Sequence, residues 1–180
     1  MKLPSVIFSL AMLPLALHAQ QAPQASATTA QPRLLCLFLD LGSMEPADQV
    51  KARDAAIEFV QTKLASSDSV ALMTYTSQLE VLQDFTTSRE SVVAALRTAL
   101  PNGTASRNND YGARLQALQT VASTLSRLPD KKVMIYISGG VKTGIDDLTQ
   151  MESAVNALIK ANVVMYPLDA RGLLSSSGIK

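Results

Sequence analysis

The pattern of apolar and polar positions predicts strands that alternate with amphipathic helices. After the first 19 residues, the longest uninterrupted apolar run covers residues 34–39 and stops at Asp40. Such a run is typical of a strand buried on both faces at the centre of a parallel sheet. Further predominantly apolar stretches occur at residues 69–75, 133–137 and 163–168. Because helical patterns separate these runs, we expect a doubly wound α/β domain.

Four segments carry apolar residues at helical spacing. The first spans about residues 46–65, with Pro46 in its first turn. The second opens with a capping-box pattern, in which Thr87 precedes Glu90 by three residues. The apolar positions of the third and fourth are Leu115, Leu118, Val121, Ala122 and Leu125, then Met151, Ala154, Val155, Leu158 and Ile159. Asn162 is expected to end the fourth helix in the left-handed conformation.

One strand is expected to lie antiparallel at an edge of the sheet. Residues 76–78 are typical of a turn, and the partial alternation of residues 79–82 suits a short edge strand. Asp146 or Asp147 is expected to cap the fourth helix. The prediction is therefore a mostly parallel sheet with one antiparallel edge strand and helices on both faces, within residues 33–174.

The two ends of the chain are expected to lie outside this domain. Residues 1–19 combine a basic start, a short apolar core and a small final residue, which is typical of a secretory signal peptide. Residues 20–32 contain no large apolar residue and predict a flexible leader. Residues 175–180 are expected to form a disordered tail. The protein is therefore predicted to be exported to the periplasm, the cell envelope or the extracellular space.

Composition excludes several classes of function. Removal of residues 1–19 takes away Lys2 and His18 and leaves 15 basic and 15 acidic residues. This balance gives no indication of nucleic acid as a partner. Without histidine, the mature chain has no Ser-His-Asp or Cys-His catalysis and no histidine-held zinc. The single cysteine, Cys36, is expected to be a small core residue.

Polar residues follow the central strand at the edge where ligands bind in open α/β sheets. Asp40 and Ser43 lie at this end, and the alternative is that they only cap the next helix. The pair of glycines at residues 139–140 is expected to make a close turn from strand to loop. Asp169 and Arg171 are expected to have a structural role, in which they pair with each other or cap loop carbonyls.

Four stretches, in order and at the spacing of one domain, resemble von Willebrand factor A-type (VWFA) domains. More narrowly, they are similar to the VWFA-related acidobacterial family of exported bacterial proteins. The stretches are residues 38–44, 82–86, 131–140 and 161–173, and the resemblance covers about residues 33–174. It implies a Rossmann-like sheet with a further strand and helix beyond these residues. It also implies a non-enzymatic protein-interaction or adhesion module.

The resemblance further implies a metal-ion-dependent adhesion site, in which hydroxyl and carboxylate oxygens hold a divalent cation and a partner carboxylate completes its coordination. The candidate ligands carried over to this chain are Asp40, Ser43, Thr104 and Asp110. Gly42 and Met44 stand where the loop serines should be, and Ser138 stands for the later aspartate. We therefore expect a degenerate site at which Mg²⁺ or another divalent cation binds weakly or not at all.

Two functions remain open from the sequence. The leading one is an exported, non-enzymatic interaction module whose partner is an unidentified protein. The alternative is a magnesium-dependent α/β hydrolase or phosphatase that uses Asp40, since an aspartate after the first strand also begins phosphotransferase sites. Gly42 and Ser138 stand where further acids would help such an enzyme. We expect no transmembrane segment after signal cleavage. Self-association is expected through the uncovered edge of the strand at residues 163–168.

Overall fold

The computed structural model describes residues 32–100, 110–140 and 148–173, which form strands and helices in alternation. The strands are β1 (Leu34–Asp40), β2 (Ser69–Tyr75), β3 (Leu79–Thr86), β4 (Lys132–Ser138) and β5 (Val163–Asp169). The helices are α1 (Pro46–Thr62), α2 (Arg89–Thr98), α3 (Tyr111–Leu125) and α4 (Leu148–Lys160). Short 3₁₀ turns follow β1 at Leu41–Ser43 and β5 at Ala170–Gly172.

Some predicted features lie outside the described residues. They are the signal peptide at residues 1–19, the leader at residues 20–32 except for its last position, the tail at residues 175–180, and the cap at Asp146 or Asp147. These features stay predictions.

The sheet confirms the predicted fold class. Its order is β3-β2-β1-β4-β5, with β1 parallel to β2 and β4, and β4 parallel to β5. The β2–β3 pair is antiparallel, so β3 is the expected antiparallel edge. This strand continues to Thr86, beyond the predicted end at Leu82, because it keeps pairing with β2 as far as Val70 across two register irregularities.

The central strand separates two hydrophobic cores. Leu35, Leu37 and Leu39 pack towards α1 and α2, whereas Cys36 and Phe38 pack towards α3 and α4. Cys36 is fully buried, as predicted, and burial raises the pKa of its thiol to about 12. Because side chains alternate along a strand, the next residue of the second series is Asp40, and its carboxylate faces α3 and α4.

The helices agree with their predicted patterns except in two places. The N-cap of α2 is Ser88 rather than Thr87, and the Ser88 hydroxyl accepts a hydrogen bond from the Ser91 amide at 3.2 Å. Thr87 is not the cap because β3 runs to Thr86 and Thr87 only links the two elements. In α4 two of the apolar positions at helical spacing, Val155 and Ile159, are exposed, whereas Ala154 and Leu158 are buried.

Two details of the last helices follow the sequence closely. All five predicted core positions of α3 are buried. Asn162, directly after α4, has a φ of 55° and so takes the left-handed conformation as predicted. None of the helices in the described ranges is long and apolar enough to cross a membrane.

Candidate functional site

The site is organised around Asp40, the last residue of the central strand. Its side chain is almost completely buried, with the residue only 1% exposed. The Tyr136 hydroxyl of β4 donates a hydrogen bond to Asp40 Oδ2 at 2.7 Å. The Arg114 Nη1 atom of α3 lies 3.7 Å from the same oxygen. The carboxylate is therefore held between the neighbouring strand and the first turn of a helix.

Tyr136 reaches Asp40 because of the strand register. It pairs with Phe38 across the β1–β4 ladder, and the two rings stack at 5.5 Å between centroids with 17° between their planes. The ring therefore lies along the sheet face, and its hydroxyl extends to the end of β1. Burial, reinforced by the Asp40 charge, raises the pKa of Tyr136 far above its ordinary value. The phenol thus stays a protonated donor at neutral pH.

Arg114 is aimed at Asp40 by the start of α3. Asp110 caps this helix, its Oδ1 accepting a hydrogen bond from the Ala113 amide at 2.9 Å. Arg114 Nε donates to the Asp110 carbonyl at 3.3 Å, and its guanidinium lies 5.5 Å from the centre of the Tyr111 ring. The Arg114 side chain is only 11% exposed. A nearly buried cation therefore faces the buried carboxylate.

The electrostatics of this cluster are dominated by desolvation. Burial raises the pKa of Asp40, while the Tyr136 hydrogen bond and the Arg114 charge act in the opposite direction. The other carboxylate oxygen, Oδ1, is buried and has no hydrogen-bond partner among the described residues. Burial also raises the pKa of Tyr75, which pairs with Asp40 across β2, with a further contribution from the Asp110 charge. The desolvation of the Asp40 carboxylate is thus only partly offset by the described groups around it.

The turn after β1 is fastened to the end of β4 by Ser43. Its hydroxyl donates to the Asp40 carbonyl at 2.7 Å and accepts from the Gly139 amide at 2.9 Å. The Gln49 side chain donates to the Leu41 carbonyl at 3.0 Å and holds the same turn from α1. The helix α1 is capped by neither Asp40 nor Ser43, because it begins one turn later, after Glu45.

The predicted turn at Gly140 and the predicted pair of Asp169 and Arg171 contact each other beyond the carboxyl ends of β4 and β5. Gly140 has a φ of +84°, and a Cβ placed there would collide with the Arg171 guanidinium. Arg171 Nε lies 2.9 and 3.1 Å from the two carboxylate oxygens of Asp169. This hydrogen bonding lowers the pKa of Asp169. The pairing that the sequence predicted is therefore confirmed, and it covers the close turn after β4.

The predicted metal ligands are only partly brought together. Asp40 and Ser43 lie at the same end of the sheet, and Asp110 lies near them at the start of α3. Thr104 is outside the described residues. The hydroxyl of Ser43 joins two backbone groups, and the Asp110 carboxylate caps its helix.

Among the described residues, the groups around Asp40 do not fit a divalent cation. A hard cation in a protein needs several converging oxygens, whereas Asp40 faces an arginine and a tyrosine hydroxyl. Met44, at a position where the resemblance calls for a serine, is fully buried in the core beside α1. Within residues 32–100, 110–140 and 148–173, no group of three or more acidic, histidine or cysteine side chains is arranged to hold a metal.

Sequence reasoning missed Arg114 and Tyr136. Tyr136 carried a weak signal, since it lies two positions before the end of an apolar strand and shares the face of Asp40. The signal of Arg114 was its position in the first turn of a helix, where the helix macrodipole disfavours a positive charge. Neither signal identifies a partner without the sheet order.

Comparison with known families identifies a domain family that covers more than half of the chain. The model of the von Willebrand factor type A domain matches residues 41–142. No curated protein sequence matches the chain.

Solved structures of the same fold come from bacteria and from an animal adhesive. An aerotolerance-related membrane protein of Bacteroides fragilis is 15% identical with a TM-score of 0.55, over 75% of this chain and 66% of that one. BatB of Bacteroides thetaiotaomicron is also 15% identical, with a TM-score of 0.55, over 75% of this chain and 65% of BatB. Proximal thread matrix protein 1 of the mussel byssus is 14% identical, with a TM-score of 0.55, over 76% of this chain and 37% of that protein. At these identities the likeness shows the fold alone, and the chain spans just under two thirds of the two bacterial proteins.

Proposed function

Because the chain belongs to the von Willebrand factor type A domain family, we propose that it is an exported, non-enzymatic protein-interaction module with a degenerate metal site. The observation that supports this most directly is the state of Asp40. It is the residue from which a cation site or a phosphatase site would start, and it is buried against Arg114 and Tyr136. Binding then depends on the exposed side chains around this end of the sheet.

These exposed side chains define a surface that we call the carboxyl-end rim. It consists of Glu45 after the first turn, Asp110 at the start of α3, and the Asp169–Arg171 pair after β5. All four residues follow, or lie beside, the carboxyl ends of the parallel strands. Ligands of open α/β sheets bind at this position. We propose that the partner is a protein that docks on the rim without a bridging cation.

The partner experiment uses the full chain and two matched variants. The rim variant combines Glu45→Lys with Arg171→Ala, and the control variant carries Asp130→Lys in the exposed loop between α3 and β4, at the opposite end of the sheet. We expect an envelope protein to be retained by the wild type and the control variant, with or without a chelator, and to be lost from the rim variant. Retention by all three proteins would contradict docking on the rim.

Export and an envelope location rest on residues 1–19 and stay part of the proposal. Among the structural relatives, one is named a membrane protein. N-terminal sequencing of the secreted product is expected to begin near Gln20. A soluble cytoplasmic product that retains Met1 would contradict export.

The hydrolase alternative requires Asp40 to reach a phosphate or a magnesium ion. At 1% exposure, and with Arg114 beside it, the carboxylate has no open path to a substrate in the described residues. A phosphatase screen with magnesium is expected to show no turnover. Turnover that disappears in Asp40→Asn would favour the enzyme instead.

We also propose self-association at the β5 edge, because exposed apolar residues collect there. Six large hydrophobic residues in the described ranges are exposed, and five of them lie on α4 or β5: Leu148, Val155, Ile159, Tyr166 and Leu168. On α4, Leu148, Val155 and Ile159 share one side of the helix. Gln150, which lies against Gly112 of α3, marks the other side. The apolar stripe of α4 therefore points away from α3, towards the edge of β5 that no described strand covers.

The opposite face of the same edge is also apolar. Tyr166 and Leu168 line a groove of about 380 Å³ between α1 and the β4–β5 face of the sheet. A second copy, packed edge to edge through a two-fold axis, would place each α4 stripe and each groove against its own equivalent. Pro167 has no amide proton, so strand pairing alone would be interrupted there. The apolar residues on both faces are accordingly the main proposed contacts.

A further inference from the structure

We propose that Arg114 is a built-in counter-cation for Asp40 and takes the charge-balancing role that a divalent cation has in a metal-bearing site of this kind. The inference concerns the same end of the sheet as the proposed function and rests on its metal-free site, but it requires no partner. It assigns a role to Arg114 that the sequence pattern did not suggest.

The carboxylate of Asp40 is buried and its charge needs compensation. A buried carboxylate is costly unless it is paired or hydrogen-bonded. Tyr136 supplies one hydrogen bond at 2.7 Å, but a phenol carries no charge. Among the described residues, Arg114 is the one cationic side chain within ion-pair distance of Asp40, at 3.7 Å. The guanidinium is therefore the opposite charge that compensates the buried carboxylate among the described residues.

The position of Arg114 supports the same pairing. A positive charge in the first turn of a helix is opposed by the macrodipole, and an arginine at such a place would normally extend into water. Here the side chain is only 11% exposed and is directed inwards. The Asp110 carbonyl and the Tyr111 ring hold it in this orientation. A negative charge on its inner side accounts for the inward orientation, and Asp40 supplies that charge.

The geometry of the pair fits a role in charge balance. The 3.7 Å separation is an ion-pair distance rather than a direct hydrogen bond, and no described residue donates a hydrogen bond to Asp40 Oδ1. Arg114 therefore balances the charge of Asp40 without saturating its oxygens. A role in charge balance differs from a role in packing, because only the former disappears when the carboxylate is made neutral.

A double-mutant cycle on the full chain separates these two roles. Arg114→Ala leaves the Asp40 charge uncompensated, and we expect the melting temperature to fall on the order of 10 °C. Adding Asp40→Asn to Arg114→Ala is expected to recover at least half of that fall. If Arg114→Ala does not fold, a folded double variant is the same positive result. A double variant no more stable than Arg114→Ala would overturn the proposal.

The control cycle uses Arg53 and Asp54, an ion pair at 2.7 Å whose side chains are 27% and 31% exposed. Adding Asp54→Asn to Arg53→Ala should bring no recovery, because water already screens both charges. A second measurement follows the melting temperature of the wild type in MgCl₂ and MnCl₂ against NaCl at equal ionic strength. We expect equal values. A saturable rise with either cation that Asp40→Asn abolishes would overturn the proposal, while leaving the partner-capture experiment unaffected.

Discussion

The Gly139 amide donates a hydrogen bond to the Ser43 hydroxyl at 2.9 Å, and the two backbones approach so closely that no side chain fits between them. A Cβ placed on Gly139 would collide with the Ser43 carbonyl oxygen and lie 2.9 Å from Met44 Cα. The turn after the central strand and the end of β4 are thus packed against each other. This contact fixes the position of Asp40, which lies directly before that turn.

The first prediction concerns this close approach. Gly139→Ala should lower the free energy of unfolding by about 1–3 kcal/mol, because the new methyl group meets backbone atoms that cannot move away easily. The matched control is Gly172→Ala, since a Cβ at Gly172 meets nothing within 4 Å. Urea denaturation of the two variants measures the difference. Equal stability of both would show that the turn yields without strain.

The second prediction concerns the hydrogen bond between Tyr136 and Asp40. Tyr136→Phe removes the donor and leaves the buried Asp40 Oδ2 without it, so we expect a loss of about 1–3 kcal/mol. The control is Tyr166→Phe, because Tyr166 is 56% exposed. Thermal melting at neutral pH should show a clear fall for the first variant and almost none for the second. An unchanged Tyr136→Phe variant would mean that Asp40 is satisfied in another way.

The fold could be predicted from the sequence where burial dictates residue type. The run at residues 34–39 is apolar because β1 is covered on both faces, and all five predicted core positions of α3 are buried. The same reasoning failed at Val155 and Ile159. Their helical spacing matches a buried face, but they lie on the side of α4 that no described element covers. Periodicity reports the apolar side of a helix and does not report what packs against it.

The candidate site was predictable only in part. Asp40 could be located because the end of a central strand is visible in the sequence. Its partners could not, since Tyr136 is 96 positions away and reaches it through the β1–β4 register. Arg114 meets it only because α3 packs over the same face of the sheet. These contacts depend on strand order, which local pattern leaves open.

The third prediction is a pH dependence of stability that arises from Asp68. The buried Asp68 side chain accepts hydrogen bonds from Arg33 Nε at 2.9 Å and from the Ala65 amide at 2.8 Å. The Arg33 hydrogen bond holds the pKa of Asp68 below its ordinary value. The stabilisation is therefore fully present above the unfolded-state pKa, near ~4, and is lost as the pH falls through the lowered folded-state pKa.

The variant Asp68→Asn tests the predicted loss of stability at low pH. We expect the variant to be less stable than the wild type by about 1–2 kcal/mol at neutral pH, a value reduced by the exposure of Arg33. The difference should shrink as the pH falls below ~4. Asp54→Asn, at a pair that is partly exposed on both sides, is the control and should be almost as stable as the wild type at neutral pH. If the difference in free energy of unfolding between Asp68→Asn and the wild type does not change with pH, the ionised carboxylate is not the source of that difference.

The last prediction concerns self-association at the β5 edge. Ile159 is 66% exposed on the α4 stripe, and Val81 is 55% exposed on β3 at the other edge of the sheet. If two copies pack through β5, Ile159→Lys places a charge in the interface, whereas Val81→Lys places one in solvent. Light scattering coupled to size-exclusion chromatography over a concentration series should then show a dimer for the wild type and Val81→Lys, and a monomer for Ile159→Lys. Neither substitution removes buried apolar contacts, so the monomers should melt at similar temperatures. A wild type that stays monomeric at every concentration, or equal dissociation by both substitutions, would exclude this edge as the interface.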